Sequence, residues 1–178
     1  MDKLNKKIIV LAALAAKTGI YGHNGGIPWK LSGDMQRFKE LTLGETVVMG
    51  RGTWESIPAR VRPLPNRQNI IIASKEVSHP QGVFVVKSID QAMEVATSKS
   101  IFFIGGERIW YPAMEIADEV ILTIVYKDLP TEEKGICRAE RLLNIEGNWR
   151  HLSFVESLQR VDEESGLRYS FSRWERRS

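Results

Sequence analysis

The chain of 178 residues holds one cysteine, Cys137, so no disulfide can close within it. Its three histidines, His23, His79 and His151, show no metal-ligand spacing, and no metal is expected. No internal repeat, low-complexity tract or linker interrupts it, so one domain over residues 1–178 is expected. No apolar run approaches the roughly 20 residues that a membrane helix needs, and no membrane association is expected. Charge of one sign is also scarce. Lys and Arg number 25 against 22 for Asp and Glu, a net charge of +3. That excess suits a phosphate-bearing ligand as well as nucleic acid and establishes neither; no nucleic-acid partner is expected. With no disulfide, a reducing cytoplasm is the default compartment.

What is present is a soluble-protein composition, 43% apolar and 26% charged. Lys3, Lys6 and Lys7 precede the apolar run Ile8–Ala16, which could be mistaken for a secretory signal. The run is short for a signal, and a buried first strand reads equally apolar, so a strand is expected. Strand-like runs recur at Thr46–Met49, Asn69–Ala73, Val83–Val86, Ile101–Ile104 and Val120–Val125. Helix-like stretches lie between them. The clearest is Ser88–Ser98, where Ser88 and Gln91 have capping-box spacing. Strands alternating with helices predict an α/β fold with a central, mostly parallel twisted sheet flanked by helices. His151–Leu158 and Leu167–Trp174 predict a C-terminal antiparallel hairpin. Ile136–Leu143 reads as a short helix closed by Gly147.

Five segments carry chemistry. In Tyr21-Gly22-His23-Asn24-Gly25-Gly26-Ile27-Pro28-Trp29, three glycines in five residues predict a mobile loop, and the stiff Ile-Pro-Trp predicts a lid ending at a helix. In that helix Leu31, Asp34, Phe38 and Leu41 share one face, with Met35 at its border and Gln36, Arg37, Lys39 and Glu40 turned away. An acid on an apolar face is costly unless it serves a ligand or the positive helix end, and spacing alone leaves both open. Next, Val47–Ile57 and Ile101–Arg108 each run a strand into glycine and then a helix, with Arg51 and Arg108 nearby. Two such junctions could clamp a pyrophosphate, although ordinary strand–helix turns would look the same. Last, Arg67 follows the stiff Pro63-Leu64-Pro65; a rigid carboxylate clamp and a solvated surface arginine both fit.

In this order the segments resemble dihydrofolate reductase. The resemblance covers the first strand to about Thr123 and resumes in the closing hairpin. It implies an NADPH-dependent oxidoreductase that reduces 7,8-dihydrofolate to 5,6,7,8-tetrahydrofolate for one-carbon metabolism, a monomer, and an antifolate target. The resemblance assigns catalysis to Asp34, Trp29 and Thr123. Asp34 would grip the amino-pyrimidine edge of the pterin, Trp29 would help hold a water, and Thr123 would bond through to the carboxylate. Ile27, Met35, Phe38, Ile57 and Leu64 would line the substrate pocket, Arg67 would hold the glutamate α-carboxylate, and Ile104 would offer its carbonyl. Arg51, Thr53 and Ser74 would hold cofactor phosphates. Ala13, Leu14, Gly22, Gly50 and Gly52 would complete the cofactor's surroundings together with Gly105, Gly106, Glu107, Arg108, Ile109 and Trp110. The Gly105–Gly106 peptide would be cis.

The chain departs from the family at four places. Trp110 stands where Tyr or Phe is usual, Leu14 replaces a small residue, and Ala73 replaces a hydroxyl. An acidic Gly-Asp-Thr loop after Thr123 is absent, replaced by Asp128–Glu133 and the segment beyond. Two alternatives stay open: a reductase like that of riboflavin synthesis, acting on a pyrimidine ribosyl-phosphate, against which Asp34, Phe38 and Arg67 argue, and a nicotinamide-binding module without turnover, supported by Trp110 and the missing acidic loop. Arg60, Arg62 and Arg67 are expected to form a basic rim.

Overall fold

A computed structural model describes residues 6–145, 147–152 and 158–177. In chain order the elements are β1 (Lys7–Ala15), β2 (Ile20–His23), α1 (Ser32–Thr42), β3 (Thr46–Gly50), α2 (Arg51–Ser56), β4 (Gln68–Ile72), β5 (Phe84–Val86) and α3 (Ile89–Val95). Then follow β6 (Ser100–Gly105), α4 (Glu107–Met114), β7 (Glu119–Tyr126), β8 (Ile136–Arg138), β9 (Trp149–His151), β10 (Arg160–Val161) and β11 (Arg168–Arg176). This is the expected α/β class, a mixed and mostly parallel sheet with helices between its strands. No described helix is long and apolar enough to cross a membrane.

The chain divides into two compact units. The first takes the N-terminal residues through Leu11 and Glu40–Asp118. Its strands run in the order β1, β6, β3, β4, β5, and each neighbouring pair is parallel. Val10, Val47, Val48, Ile70, Ile71, Ile101 and Phe103 are fully buried, which is why these strands read as unbroken apolar runs. One irregularity falls at a predicted site residue. Val48 pairs with Phe103 and Met49 with Gly105, so the register skips Ile104. The cap of α3 is close to the predicted one. Gln91 N donates to Ser88 Oγ, while the Gln91 side chain accepts from Lys87 N, one residue before the cap. At the other end of α3, Lys6 Nζ donates to the carbonyls of Met93 and Ala96, where a cation offsets the helix dipole.

The second unit takes Ala12–Lys39 and the chain from Glu119 onward. Its order is β10, β11, β7, β1, with β9 also paired to β11. β11 runs antiparallel to β7, placing Phe171 opposite Thr123 and Arg173 opposite Ile121. The closing antiparallel strands match the expected class, and most of the expected first strand, His151–Leu158, falls outside the described residues. Here β9 ends at His151, β10 holds two residues, and 153–157 lie outside the described residues. The helix expected over Ile136–Leu143 is instead strand β8 followed by a 3-10 turn at Glu140–Leu142. A long-range partner decides that outcome: β8 pairs with β2, Ile20 opposite Arg138 and His23 opposite Ile136. Pairing across so many residues overrides a weak local preference.

Glu119 on β7 is 2% exposed, and Arg173 meets it with Nη2 2.9 Å from both carboxylate oxygens and Nε 3.2 Å from one. Removing the arginine would leave a desolvated acid without its main cation. Arg173→Met should therefore lower the unfolding free energy by about 2 kcal/mol, discounted because the arginine side chain is partly exposed. Urea denaturation at pH 7 measures it, and a loss close to zero would show the pair to be dispensable.

Candidate active site

In the second unit the site begins at the lid. The loop Tyr21–Trp29 folds into a hairpin turn. His23 N donates to Gly26 O at 2.8 Å and Gly26 N returns a bond to His23 O at 3.0 Å. Between them Asn24 has φ 50° and Gly25 φ 78°, the left-handed pair of a two-residue hairpin turn. The sequence carried that signal in Asn24-Gly25 itself. Strand β2 leads into the turn, with Asn24 N bonded to Gly135 O. Gly22 is buried, and a Cβ there would meet Cys137 Cβ at 3.3 Å. Beyond the turn Ile27 is 59% exposed, and Lys127 Nζ donates to Pro28 O at 2.7 Å.

Helix α1 presents the expected face. Leu31 is buried, Asp34, Phe38 and Leu41 are half-buried, and Met35, Gln36, Lys39 and Glu40 are exposed. Arg37 departs from expectation. It is half-buried, its guanidinium 3.9 Å from the centre of the Phe171 ring, rather than turned to solvent. Thr123 Oγ1 donates to Asp34 Oδ1 at 2.6 Å. Burial raises the carboxyl's pKa above its ordinary value, against smaller lowering effects from the Thr123 bond and the Arg37 charge. Nearby, Trp29 packs against the cluster of Leu31, Val125, Tyr169 and Phe171. Its Nε1 is buried and has no hydrogen-bond partner among the described residues. An indole N–H in that position calls for an acceptor from a ligand or a water.

The first unit holds the two glycine junctions. Neither Gly50 before α2 nor Gly106 before α4 is capped by a side chain. The junctions lie together: a Cβ on Gly50 would sit 3.1 Å from Ile109 Cγ1 and 3.6 Å from Gly105 O. The Gly105–Gly106 peptide is cis, as the resemblance implied. Gly105 has φ 137°, and a Cβ there would come within 2.9 Å of Thr53 Oγ1 and 3.3 Å of Trp110 Cζ2. Trp110 is 4% exposed and donates its indole N–H to the carbonyls of Leu11 and Phe103, so its ring lies under Gly105. Arg51 is exposed and pairs with Glu55 at 2.6 Å. Ser74, Gly52 and Arg108 are exposed; Thr53, Ile104, Gly106 and Glu107 are half-buried, and Ile109 is buried. Two uncapped helix starts side by side, with backbone N–H donors, glycine surfaces and Arg51, form a donor set that fits a dinucleotide's phosphates. In the second unit Ala13 is half-buried, and Leu14 is wholly buried. The bulk of Leu14 is thus absorbed by the core.

The proline-rich loop holds a residue that sequence reasoning missed. Asn69, 2% exposed, accepts from Leu64 N and donates to the carbonyls of Leu64 and Arg67. It fixes the loop from inside; an asparagine within an apolar strand was the signal. Arg67 donates to Thr42 Oγ1 at 2.7 Å and to Pro65 O at 2.6 Å, so its guanidinium is held in place. The expected basic rim loses one member. Arg62 lies 5.0 Å over the Trp54 ring and donates to Trp54 O, which commits it to packing. Ile57 and Leu64 are half-buried.

The sequence profile of the dihydrofolate reductase family matches residues 7–176. The dihydrofolate reductase of Mycobacterium tuberculosis (strain ATCC 25618 / H37Rv) is 40% identical over 117 residues, 66% of this chain and 71% of the relative. That of Mycobacterium leprae (strain TN) is 34% identical over 146 residues, 80% of this chain and 88% of the relative. That of Bacillus subtilis (strain 168) is 29% identical over 160 residues and covers 89% of each chain. The chain belongs to the dihydrofolate reductase family.

Gly105 and Gly44 offer a contrast. Gly44 has φ 80° and nothing within 4 Å of an added Cβ, whereas Gly105 combines positive φ with crowding. Gly44→Ala should cost about 1 kcal/mol and Gly105→Ala about twice that or more. Denaturation of both variants tests this, and equal losses would remove the crowding at the Gly-Gly turn.

Proposed function

We infer that this chain is an NADPH-dependent dihydrofolate reductase, converting 7,8-dihydrofolate to 5,6,7,8-tetrahydrofolate, with Asp34 as the acid that grips the pterin. The observation that carries the role of Asp34 is its desolvated carboxylate, bonded to Thr123 and set on a helix after Ile27-Pro28-Trp29. When bound, NADPH supplies the hydride. The protein's part is positioning and the holding of a proton, and no nucleophile is required. Asp34 accepts from the amino-pyrimidine edge of the substrate, and its raised pKa keeps a proton at the site further up the pH scale. Thr123 fixes one carboxylate oxygen, so the other is presented in a defined direction. Trp29 Nε1 donates to a water that links it to this edge.

Phe38, Met35, Ile27, Ile57 and Leu64 supply apolar surface for the pterin and benzoyl groups. Arg67 binds the glutamate α-carboxylate, and Ile104, passed over by the β3–β6 register, offers its carbonyl. The helix starts at Gly50 and Gly106, with Arg51, Gly52, Thr53 and Ser74, bind the cofactor's phosphates, Arg51 favouring the 2′-phosphate of NADPH. Ala13, Leu14, Gly22, Gly105, Glu107, Arg108, Ile109 and Trp110 complete the cofactor's surroundings. Residues 1–178 act as one dihydrofolate-reductase domain, monomeric and cytoplasmic, with no nucleic-acid or membrane partner.

Oxidation of NADPH followed by its absorbance with dihydrofolate, and in parallel with a pyrimidine ribosyl-phosphate, tests the activity. Rapid oxidation is expected with dihydrofolate alone, and none with dihydrofolate would overturn the reading. Asp34→Asn should fold, bind NADPH and lose roughly 100-fold or more of its turnover at pH 7. The sign of the pH effect is fixed by the raised pKa. Wild-type hydride transfer should fall as pH rises through that pKa, and the dependence should vanish in Asp34→Asn. Because the folded state raises the Asp34 pKa, ionisation costs stability as pH climbs from the unfolded value through the folded one. Asp34→Asn should therefore be more stable than wild type at pH 7. A variant that is both active and less stable would remove Asp34 from this role.

A further inference from the structure

Asp162 lies in the turn between β10 and β11, 130 residues beyond Ser32. It is 3% exposed, and both of its oxygens are fully engaged. Oδ2 accepts from Ser32 N at 2.8 Å and from Ser32 Oγ at 2.7 Å. Oδ1 accepts from Ser165 N at 2.9 Å and Ser165 Oγ at 2.8 Å. Its backbone is fixed as well, with Asp162 N bonded to Leu167 O and Gly166 N to Asp162 O, each within 2.9 Å. Ser32 is the first residue of α1, and Asp34 is two residues further on.

The same hairpin meets this helix start at two more points. A Cβ on Gly33 would overlap Tyr169 Oη, so the first turn of α1 rests against that ring without a side chain between them. Lys30, just before the helix, pairs with Glu164 at 3.0 Å, though both side chains are largely exposed and the pair is weak. Further along β11, Phe171 stands opposite Thr123, the residue that bonds Asp34. One strand and its turn therefore control both the support of the Asp34 carboxylate and the start of its helix.

We propose that Asp162 is a positioning residue for the reductase: by binding Ser32 it fixes the height and rotation of the first turn of α1, and so the place of the Asp34 carboxylate against Thr123. An ordinary helix cap would come from the preceding residue. Here that residue is Leu31, which cannot cap, and a remote acid takes the task. The negative charge also suits the positive helix start. The Asp162 carboxyl is itself held well below the usual carboxylate range, first by the Ser32 hydroxyl and then by the Ser165 groups. This role rests on the reading of Asp34 given above, but it can be read out without turnover.

The experiment is a titration of the Asp34 carboxyl in the ligand-free protein by carbon-13 NMR of labelled aspartate, assigned with Asp34→Asn. Asp162→Ala should let water to the first turn. Since burial is the largest influence on Asp34, its pKa should fall toward the ordinary value. Turnover at pH 7 should drop roughly ten-fold with KM for dihydrofolate rising less. Asp162→Asn, which keeps one acceptor oxygen, should show a smaller shift in the same direction. Glu163→Gln, which alters the turn's charge without touching these bonds, should leave the titration unchanged. A folded Asp162→Ala protein with the wild-type Asp34 titration overturns the proposal, whatever its melting temperature. If Asp162→Ala does not fold, Asp162→Asn decides in the same way. An equal shift in Glu163→Gln also overturns it, because turn charge would then be the cause. Failure of the wild-type protein to oxidise NADPH with dihydrofolate would sink the functional reading and leave this titration to judge the positioning role on its own.

Discussion

The Asp34 carboxylate is partly withdrawn from water at the start of a helix, and much of the second unit is arranged to keep it there. Taking a carboxylate out of water is costly, and a protein usually answers by protonating it or pairing it. Here the answer is partial. Thr123 gives one short bond and Arg37 a nearby charge, yet burial outweighs both. The group is left poised, readier to hold a proton than a surface acid would be. That state requires supports that do not yield. β7 brings Thr123, and its other end is fixed by the buried Glu119 and Arg173 pair. β11 brings Phe171, whose ring carries Arg37 at 3.9 Å and Arg160 at 4.8 Å. An unsettled neighbour at any of these points would relieve the carboxylate's burial.

The first unit works by omission. At Gly50 and Gly105 the chain places glycine where a Cβ would be crowded, and it leaves two helix starts uncapped by side chains. N–H groups at a helix start suit phosphate, and neither Gly50 nor Gly106 provides a side-chain cap among the described residues. Trp110 shows how a departure from the family pattern is accommodated. Its indole N–H bridges two sheet carbonyls, a contact that a phenylalanine could not make. The bulkier ring is thereby sunk under the Gly-Gly turn, and the turn keeps its form.

Most of this was legible where the deciding information is local. The strands of the first unit announce themselves because both faces are buried, and the α3 cap follows from Ser88 and Gln91. The apolar face of α1 was readable from spacing, and Asp34 stood out on it. What escaped were contacts made across long stretches of chain. No local pattern says that Asp162 binds Ser32, or that β8 pairs with β2 instead of forming a helix. Arg62 and Arg37 looked like solvated arginines because charge alone does not reveal an aromatic ring waiting beneath it. The Asn24-Gly25 turn is a different kind of miss. Its signal was local, and the surrounding glycines hid it.

That turn changes how the lid is understood. The acidic loop of the family pattern is absent after Thr123, and other groups on the same stretch of chain bond to the segment before α1. Lys127 holds Pro28 O, Gly135 O receives Asn24 N, and β8 pairs along β2. The lid is thus fixed at its beginning by a strand and at its end by an ammonium group. Between these anchors only Asn24–Ile27 are exposed, and the bonds between His23 and Gly26 already fold that tip into a tight turn. A segment held at both ends and closed upon itself has few backbone torsions left to spend on movement. Any closing over a ligand must therefore carry β8 along or be confined to the side chains and turn at the tip. The freedom usually credited to glycine is used here to make a sharp turn, and the order of the lid is a property of its partners on residues 127–138.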